Sequence, residues 1–203
     1  MKRFLALGDS YTIGEGVADD GRWPNQLARA LRAESVALAD PDIIARTGWT
    51  TDELAGAMDE YPFHPPYELV TLLIGVNNQY RGGDLDDYRS GFHALLQRAI
   101  ALAGHRPDHV VVISIPDWGV TPFAQLNGRD SASIAREIDL YNAANVEIVA
   151  QLQVRYADVT PASRTRGGDA DMLAGDGLHP SAAMYSRWLE AIAPQARSAL
   201  RAG

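Results

Sequence analysis

The sequence predicts an α/β fold in which a parallel sheet is covered by helices on both faces. Residues 69–74 form a continuous run of leucine and β-branched residues, which is typical of a strand buried on both faces. Residues 84–103 carry apolar side chains at helical spacing and are followed by Gly104, a residue that often ends a helix. Segments of these two kinds alternate along the chain, and this order places helices between parallel strands.

The remaining strands are predicted from short apolar runs that end at a turn residue. Residues 4–7 form one such run, closed by Gly8-Asp9, and residues 110–115 form another, closed by Pro116. Ligands of parallel sheets bind beyond the carboxyl ends of the strands, so residues just after these runs are candidates for a binding site. Brief strands are predicted at 36–38, 43–45 and 156–159.

The remaining helices are predicted from amphipathic spacing and from residues that favour a helix start. Residues 23–32 place Pro24 in the first turn, where proline is well tolerated. A helix that begins at Thr50 or Thr51 and runs to about Met58 has two acidic residues near its positive end. Two longer helices are predicted at 131–154 and 181–200.

Length and composition predict a single globular domain over residues 1–203. The chain has 203 residues, of which 46% are hydrophobic and 22% are charged, and a chain of this size can bury a core without disulfides. It contains no cysteine, which excludes disulfides, thiolate metal sites and a cysteine nucleophile. The net charge is −8 and there is no basic run, so nucleic acid is not an expected partner.

No membrane or targeting segment is predicted. No apolar stretch approaches the length of a membrane span, so stable membrane insertion is not expected. The chain starts with Met1-Lys2-Arg3, but the apolar run that follows has only four residues before Gly8, too few for a signal peptide. We therefore expect a cytoplasmic protein, and the sequence leaves its oligomeric state open.

A serine near the start of the chain and an Asp-x-x-His segment near its end supply the three parts of a nucleophilic hydrolase. Ser10 follows the first predicted strand. Serine needs an adjacent base to take its proton, and histidine suits that role at neutral pH. Asp176 stands three residues before His179 and can reach its Nδ1, which fixes the tautomer of the ring. Ser10 is thus a candidate nucleophile, His179 its base and Asp176 the residue that orients the base.

Two further segments supply donors for an oxyanion hole. Gly48 lies between the second predicted strand and its helix, and Asn77 follows the third strand. Tetrahedral intermediates of acyl transfer need hydrogen-bond donors aimed at the developing negative charge. The backbone N–H groups of Ser10 and Gly48 and the side-chain amide of Asn77 could supply three. The alternatives are a simple turn glycine at Gly48 and a capping role for Asn77.

With Ser10, Gly48, Asn77 and His179 in this order, the chain resembles the GDSL esterase/lipase family, whose members are also called SGNH hydrolases. The resemblance spans residues 8–180, which is almost the whole chain. It implies a flavodoxin-like three-layer α/β/α sandwich with a parallel sheet of about five strands. It also implies the catalytic and oxyanion-hole roles given above.

One residue departs from the family pattern. The third block of the family usually reads Gly-x-Asn-Asp, and here residue 78 is asparagine. The oxyanion donor Asn77 is retained, so we expect altered local hydrogen bonding around Asn78 without loss of activity.

Residues beside these segments are candidates for the substrate pocket. A buried wall residue is the alternative reading for each tryptophan among them. Neither a metal nor another cofactor is expected, because carboxylates and histidines do not occur at ligand spacing. The pocket candidates are Trp49, Asn78, Tyr80 and Trp118.

The predicted function is a serine esterase that cleaves small-molecule esters through an acyl-enzyme. Short acyl groups are expected as substrates, because residues 160–175, predicted to be irregular, are mostly polar and few apolar residues remain for an extended groove. A lysophospholipase, a thioesterase or an acyltransferase could use the same site. A degenerate ligand-binding module on the same fold is the alternative from another class.

Overall fold

A five-stranded parallel sheet, with strand order β2–β1–β3–β4–β5, forms the centre of the computed structural model, which describes residues 1–201. This confirms the predicted α/β fold with a parallel sheet of about five strands. The strands are β1 (Phe4–Gly8), β2 (Asp42–Ala45), β3 (Leu69–Leu73), β4 (Val110–Ile113) and β5 (Arg155–Ala157).

Helices cover both faces of the sheet. Helix α2 packs against α9, as does α8, whereas α3 packs against α5 and α5 against α7. The connection from β1 to β2 runs in one direction across the sheet, and the connections from β2 to β3, β4 and β5 run in the other. Right-handed crossovers in opposite directions place their helices on opposite faces. The helices are α1 (Ser10–Ile13), α2 (Trp23–Ala33), α3 (Thr51–Glu60), α4 (Val76–Tyr80), α5 (Leu85–Leu102), α6 (Pro122–Leu126), α7 (Ser131–Gln151), α8 (Thr160–Arg166) and α9 (Ala182–Arg201).

The hydrophobic core lies on both sides of the three central strands. Every residue of β1, β3 and β4 is buried, whereas the edge strands β2 and β5 keep partly exposed positions. Trp23 of α2 and Trp188 of α9 are fully buried in the layer that these two helices form. Among residues 1–201, no helix combines the length and apolarity that crossing a bilayer requires.

The strand order reverses between β1 and β3, and the carboxyl ends of the strands around this point are level. Gly8 of β1 pairs in register with Ala45 of β2 and with Leu73 of β3. The loops after these three strands therefore open at one edge of the sheet. A crevice forms at such a reversal, because successive crossovers leave toward opposite sides.

The strand predicted at 36–38 is wrong. In this segment only Leu38 forms a bridge, to Lys2, and the segment is held by the hydrogen bonds from Lys2 N to Ala37 O and from Ala39 N to Lys2 O. The edge beside β1 is instead occupied by β2, which pairs with β1 from Leu5 onward.

The interpretation of residues 160–175 as one irregular stretch is also wrong, since α8 occupies its first part. The backbone N–H of Thr160 donates to Ser114 Oγ and to Asp158 Oδ1, and Pro161 stands in the first turn of the helix. The proline is a helix-start signal that was present in the sequence. The contact with Ser114, which follows β4, depends on the tertiary fold.

Candidate active site

Ser10 is the first residue of α1, directly after the tight turn that follows β1. The Asp9 side chain caps α1 by accepting a hydrogen bond from Tyr11 N at 3.0 Å. A side chain at Gly8 would collide with Thr12 and with the Leu73 carbonyl, so the close approach of β1, β3 and α1 requires glycine there. The turn fixes Ser10 at the carboxyl edge of the sheet with 4% of its surface exposed.

Asp176 and His179 form a hydrogen-bonded pair on the loop before α9. Asp176 Oδ2 lies 2.5 Å from His179 Nδ1, and Asp176 Oδ1 accepts from the N–H groups of Leu178 and His179 at 2.9 and 3.0 Å. Burial acts to raise the pKa of Asp176, but the hydrogen bonds from the His179 ring and from the two N–H groups outweigh it and hold this pKa below its usual value. The carboxylate is therefore charged at neutral pH and holds the imidazole by its Nδ1.

Gly48 and Asn77 come from two segments that a hydrogen bond links. Gly48 has φ of +90°, a conformation that favours glycine, in the loop between β2 and α3. Asn77 lies in the first turn of α4, and its Nδ2 donates to the Trp49 carbonyl at 2.9 Å. An amide carries two N–H donors, so this bond leaves the second available.

A cavity of about 170 Å³ lies between these segments. Ser10, His179, Gly48 and Asn77 all line it, so the structure brings together residues that are far apart in the sequence. Ser10 Oγ and His179 Nε2 are not hydrogen-bonded to each other, and such bonds are often long before a substrate binds. The remaining lining residues are Tyr11, Thr47, Val76, Tyr80, Trp118, Phe123 and Leu178.

The four pocket candidates divide into two pairs. Tyr80 and Trp118 line the cavity, where their rings meet edge to face at 5.3 Å. Trp49 and Asn78 do not line it. Trp49 packs against the core, and the Asn78 amide is used to hold α3, since it accepts from Thr51 N at 3.1 Å and donates to Thr51 Oγ1 at 3.0 Å.

Some wall residues were missed by the sequence reasoning. Tyr11, Val76 and Leu178 line the cavity, and each is adjacent in sequence to Ser10, Asn77 or His179. Their adjacency to these site residues is the signal by which the sequence could have identified them as wall residues. Burial raises the pKa of Tyr11 well above its ordinary value, so its phenol stays neutral beside the His179 ring, 5.8 Å away.

Within residues 1–201, no three His, Asp or Glu side chains cluster closely enough to hold a metal ion.

Asp9, next to Ser10, is fully buried, and its Oδ2 has no hydrogen-bond partner. Burial raises the pKa of Asp9 from 3.8 to about 7, against the opposing effect of the hydrogen bond from Tyr11 N. Between pH 3.8 and about 7, Asp9 therefore keeps its proton in the folded protein and releases it in the unfolded chain. Stability that is fully present below pH 3.8 is therefore lost as the pH rises toward 7.

We expect the Asp9→Asn variant to lack this dependence, because asparagine keeps the capping oxygen and does not titrate. The free energy of unfolding is measured with urea for both proteins. The variant should become more stable relative to the wild type as the pH rises from about 4 to about 7. Other titrating groups are common to both proteins and cancel. A difference that stays constant over this range would contradict the assignment.

Three solved structures with a similar fold are described as a lipase/acylhydrolase, an esterase and a phospholipase. A lipase/acylhydrolase from Enterococcus faecalis matches with a TM-score of 0.74 and 19% identity, covering 97% of each chain. The acetylxylan esterase Axe2 from Geobacillus stearothermophilus matches with a TM-score of 0.72 and 18% identity, covering 96% of this chain and 94% of that one. A phospholipase A1 from Streptomyces albidoflavus matches with a TM-score of 0.69 and 22% identity, covering 97% of this chain and 98% of that one.

At these identities the structural likeness shows a shared fold and no more. No curated protein sequence matches the chain. The model of the GDSL-like Lipase/Acylhydrolase family, however, matches residues 6–187, which include Ser10, Gly48, Asn77, Asp176 and His179. The chain therefore belongs to the GDSL-like lipase/acylhydrolase family.

Proposed function

We propose that this protein is a serine esterase that cleaves carboxylic esters through an acyl-enzyme on Ser10. The observation that carries the proposal is the shared cavity, which Ser10, His179, Gly48 and Asn77 all line. The Asp176–His179 hydrogen bond completes the set of groups that a nucleophilic serine requires. Membership of the acylhydrolase family supports the same chemistry.

In the proposed first step, His179 Nε2 takes the proton of Ser10 Oγ while Oγ attacks the ester carbonyl carbon. Asp176 accepts the Nδ1–H of His179, which leaves Nε2 free to act as the base and stabilises the ring when it becomes charged. The protonated His179 then gives its proton to the departing alcohol. Water repeats the sequence on the acyl-enzyme, releases the acid and restores Ser10.

The negative charge on the carbonyl oxygen is proposed to be held by three N–H donors. These are the backbone N–H groups of Ser10 and Gly48 and the second N–H of the Asn77 amide, which is not engaged by Trp49. Donors fixed before the reaction stabilise the transition state without reorganising during it.

Labelling by a fluorophosphonate probe tests this proposal. The probe reacts with an activated serine, so mass spectrometry of the digested protein should locate one adduct on Ser10. An unlabelled native protein that also fails to hydrolyse nitrophenyl acetate would favour the alternative of a ligand-binding module on the same fold.

We expect short acyl groups to be preferred over long ones. The cavity of about 170 Å³ is below the range of roughly 300–1,000 Å³ usual for sites that take drug-sized ligands. The rings of Trp118 and Phe123, whose centroids are 6.2 Å apart, both stand in the wall of the cavity. In a series of nitrophenyl esters below the micellar range, kcat/KM should be highest between acetyl and butyryl. A steady rise toward decanoyl would contradict this.

A further inference from the structure

Side-chain hydrogen bonds tie together the two segments that carry Gly48 and Asn77. The Asn77 amide donates to the Trp49 carbonyl, as described above. One residue before Trp49, the Gly48 carbonyl accepts a hydrogen bond from Arg81 Nη2 at 2.6 Å. Two successive carbonyls of the β2–α3 loop are therefore bonded to side chains that come from α4 and its C-terminal end.

Arg81 is itself held in place. It caps the C-terminus of α4, where its N–H donates to the Asn77 carbonyl at 3.1 Å. Its Nη1 lies 3.3 Å from Glu53 Oε2, and the same carboxylate oxygen accepts from Thr50 N at 2.8 Å. Arg81 does not line the cavity, whereas Gly48, whose carbonyl it holds, does.

We propose that Arg81 is a positioning residue that sets the oxyanion hole by anchoring the Gly48 carbonyl. This inference rests on the esterase function proposed above. Glycine occupies positive and negative φ with similar ease, so a loop at Gly48 without an anchor has several accessible conformations. A charge-assisted hydrogen bond to its carbonyl selects one of them, in which Gly48 faces the cavity.

The alternative role for Arg81 is direct binding of an anionic group of the substrate. The two roles differ in kinetics. Loss of a positioning residue weakens transition-state stabilisation and lowers kcat, whereas loss of a contact made equally in the ground and transition states raises KM and leaves kcat unchanged.

The test is the Arg81→Gln variant, assayed with nitrophenyl acetate. We expect kcat to fall about 10-fold, and at most about 10²-fold, the cost of a misplacement of about 1 Å. This is a smaller effect than the complete loss of an oxyanion donor, which costs about 10²–10³-fold. KM should stay within about threefold, because the substrate loses no direct contact. Inhibition by an alkylboronic acid, which mimics the tetrahedral intermediate, should weaken by about the same factor as kcat.

Two further variants complete the test. Arg89→Gln removes a surface ion pair with Glu147 and should keep the wild-type kcat. Arg81→Lys should recover part of the loss, since an ammonium group can donate to the Gly48 carbonyl but lacks the planar fork that also reaches Glu53.

An Arg81→Gln variant with unchanged kcat, or with a raised KM alone, would overturn the inference. Failure of the esterase function itself gives a different result. In that case the wild-type protein would neither hydrolyse the ester nor react with the fluorophosphonate probe.

Discussion

Replacing Ser10 with alanine is expected to remove essentially all ester hydrolysis while the protein stays folded. In the proposed mechanism the Ser10 hydroxyl forms the acyl-enzyme, so the variant lacks the nucleophile. Within residues 1–201, Ser10 Oγ makes no hydrogen bond to another residue, so its removal leaves no buried partner unsatisfied. The residual rate should be about 10⁶-fold below the wild-type kcat, as for other enzymes whose serine acts within a triad.

The measurement is the hydrolysis of nitrophenyl acetate, together with a thermal unfolding curve for each protein. Ser90→Ala is a matched control, because Ser90 is exposed on α5 and its hydroxyl bonds only to the Asp86 carbonyl one turn earlier. The control should keep wild-type kcat and should still react with the fluorophosphonate probe. Near-wild-type turnover by a folded Ser10→Ala variant would exclude the proposed acyl-enzyme.

Replacing Asp176 with asparagine is expected to lower kcat by as much as about 10⁴-fold, the loss seen when the base of a serine hydrolase is held in the wrong tautomer. Asparagine can keep an oxygen facing the N–H groups of Leu178 and His179 and so preserve the loop. Its amide nitrogen then faces His179 Nδ1, which must act as an acceptor. The ring proton moves to Nε2, and Nε2 can no longer take the proton of Ser10.

The matched control for this change is Asp171→Asn, which alters an exposed carboxylate near Arg166 and should leave kcat unchanged. Unfolding curves of the two variants should be similar to that of the wild type. A loss of less than about tenfold in the Asp176→Asn variant would show that Asp176 does not determine the tautomer of His179.

The sequence alone predicted the fold class and which segments meet at the site, because both depend on local patterns. A strand such as β3 is visible as a buried apolar run, and parallel strands bring the residues that follow them to one edge. Ser10 and Asn77 could therefore be placed near each other without coordinates. The Asp176–His179 contact was equally predictable, since it joins residues on one short loop.

Only the tertiary structure decided which neighbouring side chains face the cavity. Trp49 and Trp118 looked alike in the sequence, as tryptophans on loops beside the candidate site, yet only Trp118 lines the cavity. Its indole Nε1–H donates to Gln79 Oε1 at 2.9 Å, and this bond fixes the ring. The partners are 39 residues apart, and no local periodicity relates them.

The roles of Arg81 and Asp9 also depend on contacts that form only when the chain folds. No local pattern in the sequence relates Arg81 to Gly48, but in the fold its guanidinium donates to the carbonyl of Gly48, 33 residues earlier. Asp9 was a turn residue, and the packing around it raises its pKa to about 7. Periodicity and turn chemistry are local properties that a sequence displays directly. Burial and hydrogen bonds between distant residues arise only when the strands and helices pack together, and they determine how the candidate catalytic groups are held.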